Sequence, residues 1–330
     1  MKIKSVQVQK GYREAMQFSS FLKQIRLENN LTQNDMINRL TTEASIFESL
    51  NLMSYGRWER GKSTPSLNKI LTIAKSFDVD LSNLVEKIDI SLSKTKIKQF
   101  DEWYNYLVNS GVSNSLFGYN SSDSFSYKKS RFDKDFPLYE HLNTENIEKI
   151  HRHCLKLMAF HGDIYGCIAN EINKQRDNWY YLVYLSRQNL HAHFSWSCHN
   201  LHALTSLVEK YRQNSLCLLS EPAPNSQNED QLMFVSVFMP YDTEWTAYTV
   251  DQLTSFLLQN PRVKKLIFNT HIKEAALKTS STFHGTTLAT VTNLNYKTPV
   301  VSRLIEVDSV DFLSNHGIVD RIKRKNAFHR

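Results

Sequence analysis

Between Asn51 and Lys62, NLMSYGRWERGK, three cations (Arg57, Arg60 and Lys62) follow close behind Asn51, Leu52, Met53 and Ser54. Guanidinium and ammonium groups bind phosphate oxygens, and a guanidinium also carries the paired donors that fit the guanine edge in a DNA major groove. Leu52 and Met53 suit apolar contact with thymine methyls. Each has a plainer alternative: Arg57 on phosphate alone, Met53 in a core. Upstream, Thr32 is a good N-cap, which puts Gln33 in the first turn of a helix. There its amide and the free backbone N–H groups can hold a further phosphate.

A second set of reactive side chains lies later. All 12 histidines follow residue 140, with His151, His153 and Cys154 in one cluster and His191, His193, Cys198, His199 and His202 in another. His191 and His193 are expected on one strand face, and Cys198 and His202 one helical turn apart. That grouping could hold a metal, but no standard ligand spacing is met, and surface histidines beside unrelated buried thiols are the alternative. The 9 glycines form neither a P-loop nor a dinucleotide turn; Gly162-Asp-Ile-Tyr-Gly166 comes nearest and lacks the lysine. Neither G-x-S-x-G nor H-E-x-x-H occurs. The expectation is therefore no catalytic residue, no metal and no cofactor.

The elements that must position these groups follow from periodicity. A chain of 330 residues with 41% hydrophobic content can supply two domains with cores. Its net charge of +7 is compatible with a polyanionic partner. Four cysteines make no disulfide framework, no apolar run approaches a membrane span, and the N-terminus lacks a signal-peptide core, so a cytoplasmic protein without membrane partners is expected. From Phe21 to Leu84 a run of short helices is expected, with the second and third as a helix-turn-helix. Met36, Ile37 and Leu40 face inward on helix two, and Tyr55 and Trp58 on helix three (about 52 to 60). Gly61 follows as a C-cap glycine, and Ser66 caps helix four, with Leu67, Ile70, Leu71, Ile73 and Ala74 in the core. The connection from Thr41 to Asn51 exceeds the usual turn of roughly 3–4 residues, leaving room for an extra turn around Ile46, Phe47 and Leu50. Gly56 inside helix three suggests close backbone approach, to helix two or to DNA.

Lys94 to Asn109 reads as an amphipathic helix ending before Gly111, packed on the helical head or against its counterpart in a second subunit. A Ser/Asn-rich linker follows to about 134. Asn143-Thr144 can cap a helix to about 160. Strands are expected at 179–185, 190–197, 215–219, 232–239, 263–269, 286–291 and 300–307, with helices from about 201, 251 and 272. The aromatic residues Trp179, Tyr180, Tyr181, Tyr184, Phe194 and Trp196 either fill a core or line a small-molecule pocket. The basic run Arg321 to Lys325 is a solvated tail or an auxiliary phosphate contact. The fold class expected is α + α/β. An all-α five-helix helix-turn-helix domain (12–90) leads through a connecting helix and linker (91–135) to a larger mixed α/β domain (136–320) and a basic tail (321–330).

The stretch from Phe21 to Leu84 resembles the phage-repressor (Cro/CI, or XRE) helix-turn-helix family. The resemblance rests on Ile25-Arg26, Leu31-Thr32-Gln33, Arg57-Trp58-Glu59-Arg60-Gly61-Lys62, Pro65-Ser66-Leu67 and Ile73-Ala74. It implies an ion pair between Arg26 and Glu59, Gln33 on a phosphate, and base readers at Asn51, Met53, Ser54 and Arg57, with Arg60 and Lys62 on phosphates. It further implies a transcriptional regulator of double-stranded DNA. With two-fold symmetry it would be a homodimer on an inverted repeat, its C-terminal domain dimerising or sensing a small-molecule effector. From Trp179 the order of elements is similar to that of GNAT acyltransferases, which would make the protein an enzyme with a DNA-binding head. The stretch Met239 to Tyr248, where that family needs a glycine-containing pyrophosphate loop, has no glycine.

Overall fold

The computed structural model describes residues 16–113, 179–186, 189–213, 229–238, 243–270, 273–293 and 300–328. They fall into two compact units. One holds the residues up to Ser91 together with those from Ile322; the other runs from Leu92 to Arg321.

The first unit is helical. In α1 (Phe18–Glu28), Phe18, Phe21, Leu22 and Ile25 recur at three- and four-residue spacing and are buried. In α2 (Gln33–Glu43), Met36 and Leu40 are buried, and Ile37 only partly. Thr32 caps this helix reciprocally: its hydroxyl accepts the Asp35 N–H while the Asp35 carboxylate accepts the Thr32 N–H. The long connection makes a 3₁₀ turn at Ser45–Phe47, and its Phe47 is fully buried. It leads to α3 (Leu52–Glu59), which starts at an Asn51 cap. Ser66 caps α4 (Leu67–Ser76), whose five anticipated core residues are all buried. Asp80 caps α5 (Leu81–Lys87). Full burial of an aliphatic or aromatic side chain contributes about 1.5–3 kcal/mol, so the apolar stripes, rather than the caps, hold the unit together.

The second unit opens with α6 (Lys94–Ser113), which runs through Gly111 instead of stopping before it. A six-stranded mixed sheet follows, ordered β1-β2-β3-β4-β6-β5. Its elements are β1 (Trp179–Ser186), β2 (Asn189–Asn200), α7 (Leu204–Gln213), β3 (Gln231–Phe238), α8 (Thr243–Gln259), β4 (Val263–Thr270), α9 (Lys273–Phe283), β5 (Thr286–Asn293), β6 (Val300–Asp308), α10 (Ser309–Leu313) and α11 (His316–Phe328). Neighbouring strands are antiparallel except β3 and β4, which run parallel with α8 as the crossover that such a pair requires. Their pairing ends at Val235 and Phe268, although β3 continues to Phe238 and β4 to Thr270. The parallel pair therefore comes apart at its carboxyl ends. Helices precede a mixed sheet with helices, an α + α/β layout.

Leu207 and Tyr211 of α7 cover one sheet face, packed with Leu232, Phe234, Ile267 and Leu304. The aromatic stripe of α6 is buried inside this same unit. Trp103 meets Phe283 edge-on at 4.9 Å and donates its Nε1–H to Thr279 Oγ1 at 3.1 Å, and the Tyr104 hydroxyl donates to the Thr243 carbonyl at 2.6 Å. A Cβ on Gly317 of α11 would lie 2.2 Å from the Phe100 ring, so only glycine fits there.

Two expectations change. Cys198 and His202 are not on one helix, because β2 runs on to Asn200 and a 3₁₀ turn holds Leu201–Ala203. The basic run from Arg321 is the end of α11 rather than a tail: Arg321 pairs with Asp251 at 2.9 Å, and Lys323 donates to the Ile88 carbonyl at 2.6 Å. The anticipated linker, the helix at 143–160, the strand at 215–219 and the His151, His153, Cys154 cluster lie outside the described residues. Among the described residues no helix is long and apolar enough to cross a membrane.

Candidate nucleic-acid interface

The sequence of α3 sorts its side chains onto two faces. Tyr55 and Trp58, three apart, turn inward with Gly56 and are buried. Leu52, Met53 and Arg57 turn outward; Leu52 is 49% exposed and Met53 74%. Met53 and Arg57 are four residues apart and so share one face. Two large apolar side chains are thus left uncovered at the start of the helix.

A single carboxylate fixes the inner face. Glu59, at the end of α3, accepts from Arg26 Nε at 2.5 Å and Arg26 Nη2 at 3.4 Å, from Gln33 Nε2 at 2.6 Å and from the Tyr55 hydroxyl at 3.1 Å. The Arg26 and Glu59 side chains are only 15% and 6% exposed, which removes much of the solvent screening that weakens surface pairs. Burial works against the Glu59 charge, but the donors from Arg26, Gln33 and Tyr55 outweigh it and hold the carboxyl below its ordinary 4.5. The Glu59 hydrogen bond raises Arg26 correspondingly, and burial beside that charge raises the Tyr55 hydroxyl. Arg26 Nη1 also donates to the Leu31 carbonyl at 3.0 Å, tying α1 to the start of α2.

The sequence-derived set is thus divided. Arg26, Gln33 and Glu59 come together, with the Gln33 amide turned onto Glu59 instead of outward. Asn51 Oδ1 accepts the Ser54 N–H at 2.9 Å as the helix cap, and Ser54 is half-buried. Beyond α3, Gly61 takes φ 65°, the Gly61 N–H bonds Trp58 O at 3.0 Å, and the Lys62 N–H bonds Arg57 O at 2.9 Å. This paired closure, which favours glycine at the positive-φ position, sets where Lys62 leaves the helix. The Arg60 guanidinium lies over Gly56, where a Cβ would meet it at 3.0 Å; no helix-two backbone is nearer. Gly56 therefore does not serve a close backbone approach within the unit. Between Asn51 and Ser76 the only acid is Glu59, against Arg57, Arg60, Lys62, Lys69 and Lys75. The one acid of this stretch is the one paired with Arg26. Asp35 and Tyr55 were missed as polar participants. The S/T-x-x-D spacing signals the first, and the second has no local signature because its partner network is tertiary.

A buried polar pair without a charge partner lies on β2. Ser197 Oγ lies 2.7 Å from His199 Nε2, both side chains are fully buried, and His199 Nδ1 has no hydrogen-bond partner. Burial pushes this imidazole down to about 4 and the neighbouring Cys198 thiol up to about 12, so both are neutral at pH 7. Among the described residues no three His, Cys, Asp or Glu side chains gather as metal ligands do. Compared with protein families, with curated proteins and with solved structures, the chain finds no match.

Proposed function

We propose that the protein is a sequence-specific DNA-binding regulator of the Cro/CI type, with α3 as the helix that enters the major groove. The outward face of α3 supports this reading most directly: Leu52, Met53 and Arg57 are exposed on a helix whose inner face is fixed by Glu59. Arg57 contacts guanine and Lys62 a phosphate. Arg60 moves from Gly56 to reach another, and Asn51 and Ser54 sit at the leading end of the helix. Gln33 reaches a phosphate by giving up its bond to Glu59, which keeps Arg26 and Tyr55 as partners. The protein acts as a homodimer on an inverted repeat, and its sheet unit dimerises or binds a small effector. Selection of bound sequences from random double-stranded DNA tests this. A repeated half-site is expected, with Arg57→Ala relaxing preference at one position and Lys62→Ala weakening all sites alike. Recovery of no enriched sequence by the full chain overturns the reading.

A second reading, an acyltransferase-like enzyme bearing this head, draws on one feature. The parallel pair β3 and β4 opens at its carboxyl ends, where crevices of α/β sheets take ligands. The glycine-free stretch after β3 weighs against a pyrophosphate site. Calorimetry with an acyl-CoA decides it: binding supports the enzyme reading, and no heat of binding removes it.

A further inference from the structure

The exposed edge of α3 also constrains what the half-site must contain, an inference that rests on the DNA-binding reading. Met53 is the most exposed large apolar side chain among the described residues, and Leu52 stands beside it. Neither covers a core and neither can donate or accept a useful hydrogen bond. In a major groove the one apolar group on a base edge is the C5-methyl of thymine. Four residues of helix separate Met53 from Arg57, a rise of about 6 Å, or about two base-pair steps at 3.4 Å each. Asn51, at the same end, uses Oδ1 to hold the Ser54 N–H at 2.9 Å. It therefore does not present the adjacent acceptor and donor with which an amide reads adenine, and only its Nδ2 donors remain.

We infer that α3 reads a thymine methyl with Met53, about two base pairs from the guanine read by Arg57, and that Asn51 makes no paired contact with adenine. The methyl is the recognised chemistry, so the probe is its removal. In the selected operator each thymine is replaced in turn by deoxyuridine, which loses the methyl and keeps the base pair and the backbone charge. Full-length parent protein should lose about fourfold in affinity at one thymine, the effect of leaving one methyl-sized group uncovered. That thymine should lie two positions from the guanine whose preference Arg57→Ala relaxes. Met53→Ala, at an exposed position that leaves folding intact, should bind the thymine and uracil forms equally. An operator whose affinity does not respond to uracil overturns the inference while sequence-specific binding stands. So does a uracil effect that persists in Met53→Ala. A selection that enriches no sequence overturns the DNA-binding reading itself.

Discussion

The two units bury ionisable chemistry in opposite states. In the helical unit Glu59 stays charged because donors from three side chains, one of them a guanidinium, replace the water it loses. In the sheet unit His199 stays neutral because a single hydroxyl is all it is given and its second ring nitrogen has nothing. The lesson concerns where each unit spends its polar groups. The helical unit concentrates its donors on one inner acid. The sheet unit tolerates an orphaned nitrogen between two covered faces, where desolvation alone sets the protonation state.

Removal of the acid is the severest way to break this contrast. Glu59→Ala leaves the half-buried guanidinium of Arg26 without its partner and should destabilise the helical unit by about 3 kcal/mol. Urea unfolding followed through Trp58 measures it, and a loss under about 1 kcal/mol would mean that Glu59 is not the organising group.

Acid should separate the units next. The folded pKa of His199 is depressed, so its contribution is fully present above 6.5 and drains away as pH falls towards about 4. The whole window is worth up to about 3 kcal/mol. Glu59 is also depressed, from 4.5, so its contribution is complete above 4.5 and drains away only below it, as pH falls towards its lower folded value. Amide exchange resolved by segment should show β2 and β3 loosening between pH 6.5 and 4.5 while α3 holds. The double variant Ser197→Ala/His199→Leu should flatten that dependence. Simultaneous loosening of both units would erase the distinction.

The helical glycines sharpen the same comparison at smaller scale. Gly317→Ala drives a methyl into the Phe100 ring and should cost about 2 kcal/mol. Gly56→Ala meets only the movable end of Arg60 and should add up to about 1 kcal/mol of stability. Thermal unfolding of each variant, followed in its own unit, reads both signs, and equal signs would show that the distances around the two positions are not decisive.

Much of the helical unit could be read from its sequence because its determinants are local. Thr32 and Ser66 cap where their spacing to the apolar stripes put them, and Met36, Leu40, Ile70 and Leu71 face inward as a 3.6-residue period demands. Most of what the sequence did not reveal depended on a partner distant in sequence. The Gln33 amide, expected on a phosphate, also has Glu59 as a partner 26 residues on. The stripe of α6 announced a buried face but not that Thr279 and Phe283 would bury it. Arg321 and Lys323 looked like solvated charge, and each has a specific acceptor. Cys198 and His202 were set on a helix because β2 was taken to end three residues too soon, although Asn200, whose side chain accepts the His202 N–H, marks the true end. Gly56 and Gly317 are indistinguishable in sequence and opposite in surroundings.

The 3₁₀ turn between α2 and α3 carries a consequence for how this chain can evolve. Phe47 fills the centre of the helical unit from within what would otherwise be spare loop. Trimming the connection to the common length would remove that ring and leave a cavity costing about 3–5 kcal/mol. Residues added at Ser45 or Ser49 would break the bonds from the Phe47 N–H to the Ala44 carbonyl or from the Leu50 N–H to the Phe47 carbonyl, which hold this ring in place. The connection is constrained in length in both directions, and descendants of this sequence should keep it.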